Sequence, residues 1–282
     1  MSENKLNFSE ISCKSLEKDL KLTEKEQIKI QYDLEEEEEI YSPKCAAYKA
    51  SGDCYDGAKL WIMNSTPEML RTIFTAIRTC YSPEDQAYIA YEEYFKYLDR
   101  ESKNKEFPND MIRLLTQVAK MRHLSTLEHV NITFGIRCVS RSLLAQMTRH
   151  RVGWSFSVQS QRYVKQSKDS KHGGFNYIMP PDFAKDEELT QDYAVFMNFI
   201  QQKYDYYIAK GIKPEDARYI LPNAATTNIT VTCNLRAFLD FYGKRNQLTH
   251  SQWEIAFLAE RMKEEILKVE PGLEFIFKAY SE

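Results

Sequence analysis

The residues best suited to chemistry lie in a segment of the chain that contains no acidic residue. Between Val130 and Lys168 there is no Asp or Glu, although the acid content of the whole chain predicts about six in such a window. Guanidinium groups form bidentate contacts with phosphate and carboxylate. The composition therefore predicts a local site for a dense anion such as a nucleotide phosphate, with a solvated basic face as the alternative. The basic residues of the window are Arg137, Arg141, Arg149, Arg151, Arg162, Lys165 and Lys168.

Two short motifs in this window combine arginines with other hydrogen-bonding side chains. Arg149-His150-Arg151 stands at the end of a predicted helix, and after eight further residues the chain reads Ser160-Gln161-Arg162. The carboxyl end of a helix carries a partial negative charge, which repels phosphate. The arginine side chains themselves must therefore supply the positive charge of an anion site.

Two units, each a strand followed by a helix, position these residues. Residues 130–139 alternate apolar and polar side chains, which predicts a strand, and Ser140 is placed to cap a helix that continues to Arg149. A similar alternation over 228–233 predicts a second strand. Helical spacing of apolar residues follows it over 234–244.

Further helices are predicted on both sides of these units. Residues 65–68 read Ser-Thr-Pro-Glu, which predicts a helix start with a capping hydroxyl and Pro at the first helical position. Two more helices are expected near 84–100 and 108–122. The amphipathic pattern of Trp253–Val269 predicts a closing helix that stops at Pro271.

These elements predict an α+β fold, with a mixed sheet wrapped by helices in a single catalytic domain over residues 59–282. The preceding part of the chain differs in character, because residues 1–60 contain 9 Lys and 14 acidic residues. Residues 1–58 are therefore expected to form a polar, acidic N-terminal extension that is partly helical or disordered.

Composition argues against several classes of protein. The net charge of −3 is unlike that of a general nucleic-acid coat. The six cysteines form no C-x-x-C pair and the five histidines no metal-binding pair, so no metal site is expected and the thiols are expected to be reduced. The sequence shows no export signal and no membrane-spanning segment, which predicts a cytoplasmic protein without a membrane partner. No glycine-rich phosphate loop occurs, so another device must bind any phosphate.

The arginine motifs resemble those of a known enzyme family. The flavin-dependent thymidylate synthases carry R-H-R, seven or eight residues and then S-x-R, which is similar to 149–151 and 160–162 here. Three further blocks occur in the family's order over about residues 60–280. They are H-x-S-x-x-E-H at 123–129, E-x-x-R-x-x-L-P at 215–222, and N-x-R followed by R and Q-W-E at Asn234, Arg236, Arg245 and 252–254.

The resemblance implies the reductive methylation of dUMP to dTMP. Methylenetetrahydrofolate would supply the carbon, and NADPH would supply the hydride through bound FAD. The family uses no cysteine nucleophile. Arg245 matches the arginine credited with polarising the uracil ring, which a guanidinium can do without titrating.

The resemblance also implies binding roles, position by position. His150 is expected to donate a hydrogen bond near the flavin. The sites of the family form between the subunits of a homotetramer, so such an assembly is implied and nucleic acid is not an expected partner. The residues expected to bind dUMP are Gln146, Arg149, Ser160, Gln161, Arg162, Arg218 and Arg245. The residues expected to bind FAD are His123, Ser125, Arg149, His150, Arg151, Asn234 and Arg236.

Four features depart from the family pattern, and one of them is a residue inserted between Arg245 and His250. Trp154 lengthens the spacer between the two arginine motifs by one residue. Val158 stands where many relatives have Glu or Gln, and Asp240 where they have Asn or His. Neither Val158 nor Asp240 is therefore assigned a role in the site.

Two other functions are compatible with the sequence. A single-stranded nucleic-acid-binding module would use the acid-free window along a phosphate backbone and stack bases on Trp154, Phe156 and Tyr163. An inactive relative would bind nucleotide without chemistry. Without the resemblance, His123 and His129 are better explained as a polar lead-in to a strand.

Overall fold

The computed structural model of the chain describes residues 49–50, 58–171, 173–247 and 250–281. Almost all of the predicted N-terminal extension lies outside these residues. Contacts divide the chain into two compact units. We call residues 58–158 with 227–282 the sheet unit, and residues 159–226 with the short strand at 49–50 the loop unit.

The described residues form six strands and ten α-helices. The strands are β1 (Lys49–Ala50), β2 (Lys59–Ser65), β3 (Asn131–Ser140), β4 (Trp154–Val158), β5 (Ile178–Met179) and β6 (Thr226–Asn234). The helices are α1 (Met69–Thr79), α2 (Gln86–Tyr88), α3 (Tyr94–Asp99), α4 (Asp110–Lys120), α5 (Arg141–Met147), α6 (Glu187–Ala209), α7 (Pro214–Ala217), α8 (Leu235–Arg245), α9 (Trp253–Val269) and α10 (Glu274–Ser281). A π-helical turn (Ile89–Glu93) joins α2 to α3, and 3₁₀ turns lie at Leu124–His129, Arg218–Ile220 and Pro271–Leu273.

The main sheet has the strand order β2-β3-β6-β4. β2 pairs antiparallel with β3, and β4 pairs antiparallel with β6. The α+β prediction is confirmed, but this four-stranded sheet is antiparallel rather than mixed. The two short strands β1 and β5 form a separate antiparallel pair in the loop unit.

Alternating side chains explain the strands of the sheet unit. In β6 the residues Ile229, Val231 and Cys233 are buried, and the residues between them are more exposed. β4 has the same period, with exposed Ser155 and Ser157 between partly buried neighbours. The sequence analysis did not predict β4, in which alternating serines and apolar residues suit an edge strand with one covered face.

Helices of the sheet unit bury one face against the sheet. α1 buries Leu70, Ile73, Phe74 and Ile77 at helical spacing. The helix begins at Met69, later than predicted, because Thr66 extends the strand pairing. Its backbone N–H donates to the Asn131 carbonyl at 2.9 Å.

α5, the helix that leads to the arginine motif, is capped by a side chain at its start and ends before the motif. Ser140 caps α5 by accepting the Leu143 backbone N–H at 2.9 Å, which confirms the predicted cap. The helix ends at Met147, so Arg149 lies two residues beyond it rather than in its last turn.

A buried carboxyl group ties the start of α9 to the start of α5. Glu254 is 1% exposed and accepts hydrogen bonds from the Ser140 backbone N–H at 2.7 Å and from Ser140 Oγ at 2.5 Å. The cap of α5 is therefore itself held by α9. The Q-W-E block thus has a structural function that its position in the sequence alone does not reveal.

The loop unit is built on α6, the longest described helix, which the sequence analysis did not predict. Asp186 caps it by accepting the Leu189 backbone N–H at 3.1 Å. Buried Gln201 donates to the Gln166 carbonyl at 2.9 Å and accepts the Phe175 N–H at 2.8 Å. The chain between the S-x-R motif and β5 is therefore anchored on α6.

Two other expectations concern membrane segments and thiols. No helix in the described ranges is long and apolar enough to cross a membrane. Cys80 and Cys233 are free thiols, but Cys138 is disulfide-bonded. The expectation of reduced cysteines is therefore wrong for Cys138.

We predict that Glu254→Gln destabilises the fold by about 2 kcal/mol, because one amide oxygen replaces two acceptor oxygens facing the Ser140 donors. The measurement is chemical unfolding at fixed protein concentration. The matched control is Glu264→Gln on the same helix, since Glu264 pairs with Arg261 at 3.6 Å on the surface. The control is expected to change the free energy of unfolding by less than about 0.5 kcal/mol. Equal effects of the two substitutions would contradict the assigned role.

Candidate active site

The loop that carries Arg149-His150-Arg151 lies along one face of α8. His150 contacts Arg245 at the last turn of the helix, and its ring meets Phe241 edge to face with a centroid distance of 5.0 Å. At the other end, the Gly153 carbonyl accepts the Asn234 backbone N–H at 3.1 Å. Positions 234, 237, 241 and 245 are three or four residues apart, so they form one face of the helix. This face sets the path of the motif loop.

Gly153 permits the closest approach of this loop to α8. Its φ is +75°, a left-handed conformation that favours glycine. A Cβ at this position would lie 2.7 Å from both the Ala237 Cβ and the Asn234 Nδ2. A side chain at residue 153 would therefore push the arginine loop away from the helix.

Arg245 occupies the carboxyl end of α8, where a cation is favoured by the helix dipole. Its Nε donates to His150 Nε2 at 3.1 Å. Burial lowers the pKa of His150 below its usual 6.5, and the positive charge of Arg245 lowers it further, whereas Asp240 acts in the opposite direction. The imidazole is therefore neutral at physiological pH.

Arg149 and Arg151 flank this histidine, and both are exposed. Among the described residues, neither guanidinium forms an ion pair or a hydrogen bond. Two cations are thus presented without a counter-ion from the described part of the chain. This arrangement suits an anionic ligand and supports the prediction made from the acid-free window.

The amino end of α8 carries the N-x-R motif. Asn234 caps the helix by accepting the Ala237 N–H at 2.8 Å through Oδ1, which leaves its amide nitrogen as a donor. Arg236 pairs with Glu128 at 2.5 Å, and both side chains are about half exposed. Since Glu128 belongs to the H-x-S-x-x-E-H block, this ion pair joins two of the sequence motifs.

His123 and Ser125 lie at the same 3₁₀ turn as Glu128. They line a cavity of about 290 Å³ together with Arg78 and Gln117. Gln146, in α5, is not fully exposed, and its amide donates to the Gln252 Oε1 at 3.4 Å. All these residues belong to the sheet unit.

The other predicted site residues belong to the loop unit, where two arginines meet at Glu215. Arg162 Nε donates to Glu215 Oε2 at 2.8 Å, and Arg218 Nε donates to the Glu215 backbone carbonyl at 3.1 Å. Ser160 Oγ accepts the Arg162 backbone N–H at 3.2 Å, and Gln161 is buried. The loop unit therefore brings the S-x-R and E-x-x-R blocks together.

Comparisons with known proteins identify the family. The model of the family described as thymidylate synthase complementing protein matches residues 61–272. A flavin-dependent thymidylate synthase of Clostridium tetani is 36% identical over 233 residues, which cover 77% of this chain and 85% of the relative. The chain belongs to the flavin-dependent thymidylate synthase family.

Further relatives agree with this assignment. A flavin-dependent thymidylate synthase of Geobacter sulfurreducens is 33% identical over 215 residues, covering 76% of this chain and 84% of that protein. A solved structure of the UMP/dUMP methylase PolB from Streptomyces cacaoi, with 5-Br dUMP bound, superposes with a TM-score of 0.60 at 21% identity. The superposition covers 80% of this chain and 96% of the PolB chain, which shows a shared fold.

The sequence analysis of this thymidylate synthase family member missed the carboxylates that hold the arginines. Glu128 and Glu215 lie inside motif blocks that had been noted, but they had no assigned role. The signal was the spacing in E-x-x-R, which places Glu215 and Arg218 on one side of a helical turn. The link between Glu215 and Arg162 crosses 53 positions of the chain, and no local pattern encodes it.

The aromatic residues of the nucleic-acid alternative are already engaged in this family member. Trp154 stacks on Phe156 with a centroid distance of 5.8 Å and meets Phe241 edge to face at 5.2 Å. Trp154 and Phe156 are partly buried, and only Tyr163 is largely exposed among the three. The structure thus does not favour a continuous base-stacking platform.

We predict that Gly153→Ala lowers the free energy of unfolding by about 2 kcal/mol or more, because it adds both backbone strain and a steric clash with α8. Gly211→Ala is the control, since Gly211 has a φ of +84° but no neighbouring atom within 4 Å of the point that a Cβ would occupy. Gly211→Ala should lower the free energy of unfolding by only about 1 kcal/mol, because it adds backbone strain without a clash. Thermal and chemical unfolding measure both, and a Gly153→Ala loss no larger than that of the control would refute the close packing.

Proposed function

We propose that this protein converts dUMP to dTMP by reductive methylation. The observation that carries the proposal is a set of three contacts in the sheet unit between residues to which the family resemblance points, two of them at the ends of α8. His150 contacts Arg245, Arg236 contacts Glu128, and Gln146 contacts Gln252. Family membership and the likeness of the fold to a UMP/dUMP methylase support dUMP as the substrate.

The donor set of the sheet unit fits a flavin dinucleotide. Arg149 and Arg151 offer guanidinium groups without counter-ions among the described residues, which suit a diphosphate. The amide nitrogen of Asn234 and the Arg236 guanidinium add donors at the start of α8. We infer that these residues hold FAD together with His123, Ser125 and His150. Bound flavin would transfer reducing equivalents from NADPH to the carbon that becomes the methyl group.

Arg245 is assigned the catalytic role on the uracil ring. The ring is a poor carbon nucleophile, and its carbonyl oxygens gain negative charge when the imide proton is lost. A guanidinium beside them stabilises that charge through its planar set of N–H donors. The Nε of Arg245 is already hydrogen-bonded to His150, so its terminal nitrogens remain for this purpose.

The phosphate and sugar of dUMP are assigned to donors from several motif blocks. Arg162 and Arg218 share Glu215 in the loop unit, and Ser160 and Gln161 precede Arg162. Gln146 and Arg149 are the assigned donors of the sheet unit. A phosphate dianion would compete with Glu215 for Arg162, because both present oxygen acceptors to the same guanidinium.

The remaining parts of the proposal follow the family resemblance. Methylenetetrahydrofolate and NADPH are the co-substrates, and the balanced reaction releases dTMP, tetrahydrofolate and NADP⁺ with uptake of one proton. The protein acts in the cytoplasm as a homotetramer with sites between subunits. Residues 59–282 act as the catalytic domain, and residues 1–58 are an extension.

The test of the function is a complete assay with purified protein. A visible absorption spectrum before and after addition of FAD and dUMP reports the flavin. Formation of dTMP and NADPH oxidation in the presence of dUMP and methylenetetrahydrofolate report turnover. Flavin and dUMP binding without turnover would identify an inactive relative. A colourless protein that ignores FAD and dUMP but binds single strands with steep salt dependence would identify the nucleic-acid alternative.

We predict that Arg245→Lys reduces turnover about 100-fold or more, because an ammonium group cannot reproduce the planar donor fork. Flavin affinity should change only slightly. The matched control is Arg261→Lys, in the surface pair with Glu264, which should leave turnover unchanged. Turnover of Arg245→Lys equal to that of the unmodified enzyme would refute the catalytic role.

A further inference from the structure

His150 presents an acceptor nitrogen to Arg245. The Arg245 Nε lies 3.1 Å from His150 Nε2 and donates its hydrogen to it. An imidazole nitrogen accepts a hydrogen bond only when it carries no proton, so the ring must be neutral with its hydrogen on Nδ1. The contact therefore fixes both the charge and the tautomer of His150.

Aromatic neighbours hold the plane of the imidazole. Phe241 meets the ring edge to face at a centroid distance of 5.0 Å, and Trp154 lies at 6.3 Å. Trp154 is in turn stacked on Phe156. A ring packed in this way keeps Nε2 directed at the end of α8.

We propose that His150 is a positioning residue for Arg245, which it holds through Nε so that both terminal nitrogens of the guanidinium are free to face the substrate. This inference rests on the proposed function, because Arg245 is the residue assigned to the uracil ring. An arginine has five N–H donors, and fixing the one on Nε leaves the four of the planar fork. The Nδ1 hydrogen of His150 also remains a donor, as expected for a contact near the flavin.

The charges around His150 favour the neutral ring. The cations that face it are Arg245 and Lys244 of α8 and the neighbouring Arg149, and Asp240 of α8 is the anion that faces it from the described residues. Trp154, from β4, adds an uncharged surface. Burial and the cations lower the pKa of His150 below 6.5, and Asp240 raises it.

The sign of the pH effect follows from this shift. The pKa of His150 is lower in the folded protein than its unfolded-state value of 6.5. The neutral ring therefore contributes its full share to the stability of the fold above pH 6.5, and this contribution is lost as the pH falls through the lower folded-state pKa. Protonation would also place a second cation against Arg245 and remove the acceptor. Turnover should therefore decline on the acid side, with a midpoint below pH 6.5.

Two substitutions separate the acceptor from the packing. His150→Phe keeps an aromatic ring but has no acceptor, and it should lower kcat about tenfold or more. His150→Gln keeps an acceptor oxygen near the position of Nε2 but cannot titrate. It should lose at least about threefold less kcat than His150→Phe, and it should lose the decline in kcat on the acid side.

Each result decides the proposal. Equal losses in both variants, or no loss in either, would overturn it, and so would an unchanged acid decline in His150→Gln. Asp240→Asn provides a second check, because it removes the carboxylate that raises the pKa of the ring. It should move the acid decline to lower pH without abolishing it, and a shift to higher pH would contradict the proposal.

A measurement on the protein without substrate distinguishes failure of this inference from failure of the proposed function. In ¹⁵N NMR spectra of the imidazoles, His150 should show the tautomer with hydrogen on Nδ1. Its signal is identified as the one that is absent from the spectrum of His150→Gln. The Arg245 Nε–H should exchange slowly in the unmodified protein and in His150→Gln, and rapidly in His150→Phe. The opposite tautomer, or rapid exchange in all three proteins, would overturn the positioning role even if dTMP is formed. Failure of the dTMP assay with the expected spectra would refute the function alone.

Discussion

The close packing of one loop against one helix determines where the candidate catalytic arginine lies. The loop from Arg149 to Trp154 follows α8 from its last turn to its first, and the contacts fall on helix positions three or four residues apart. A helix presents such positions on one face, so the loop has little freedom to slide. The spacing of residues in α8 therefore controls which side chain of the motif meets Arg245. Glycine at 153 and the aromatic ring at 241 are the two requirements that this contact imposes on the sequence.

Charge balance is achieved between segments rather than within them. The window from Val130 to Lys168 contains no acid, and within the described residues Arg149 and Arg151 have no carboxylate partner. Carboxylates reach the other cations and the helix caps from distant parts of the chain. Glu128 pairs with Arg236, Glu215 with Arg162, and Glu254 holds the cap of α5. Folding thus leaves two cations available beside the histidine while satisfying the charges around them.

The sequence predicted the strands and helices that bury one face. β3, β6, α8 and α9 were predicted within about two residues of their observed ends, because alternation and helical spacing record which side is buried. α6 was missed because its buried residues include Thr190, Gln201 and Tyr204, so polar side chains interrupt the apolar pattern. The start of α1 was misplaced because the strand pairing of Thr66 with Asn131, 65 positions away, overrides a local helix-start signal.

The candidate site shows the same division between local and long-range information. The family motifs supplied the arginines, histidines and polar residues of the site, and the structure shows how some of them touch. The acceptor role of His150 could not be read from R-H-R, since it depends on a contact with Arg245 that is 95 positions away. Trp154, an extra residue relative to the family pattern, is accommodated as the first residue of β4 and covers Phe241.

The Glu215 carboxylate gives the loop unit a resident counter-ion. Arg162 is not a vacant cation in this arrangement, since an acidic side chain already occupies its Nε. A ligand of the proposed dUMP site must either share this guanidinium with the carboxylate or displace it, and an uncharged nucleoside offers only neutral oxygen atoms for either. Selection for the phosphorylated form of a pyrimidine nucleoside would then arise from charge at a position that already holds a carboxylate, rather than from the shape of an empty one.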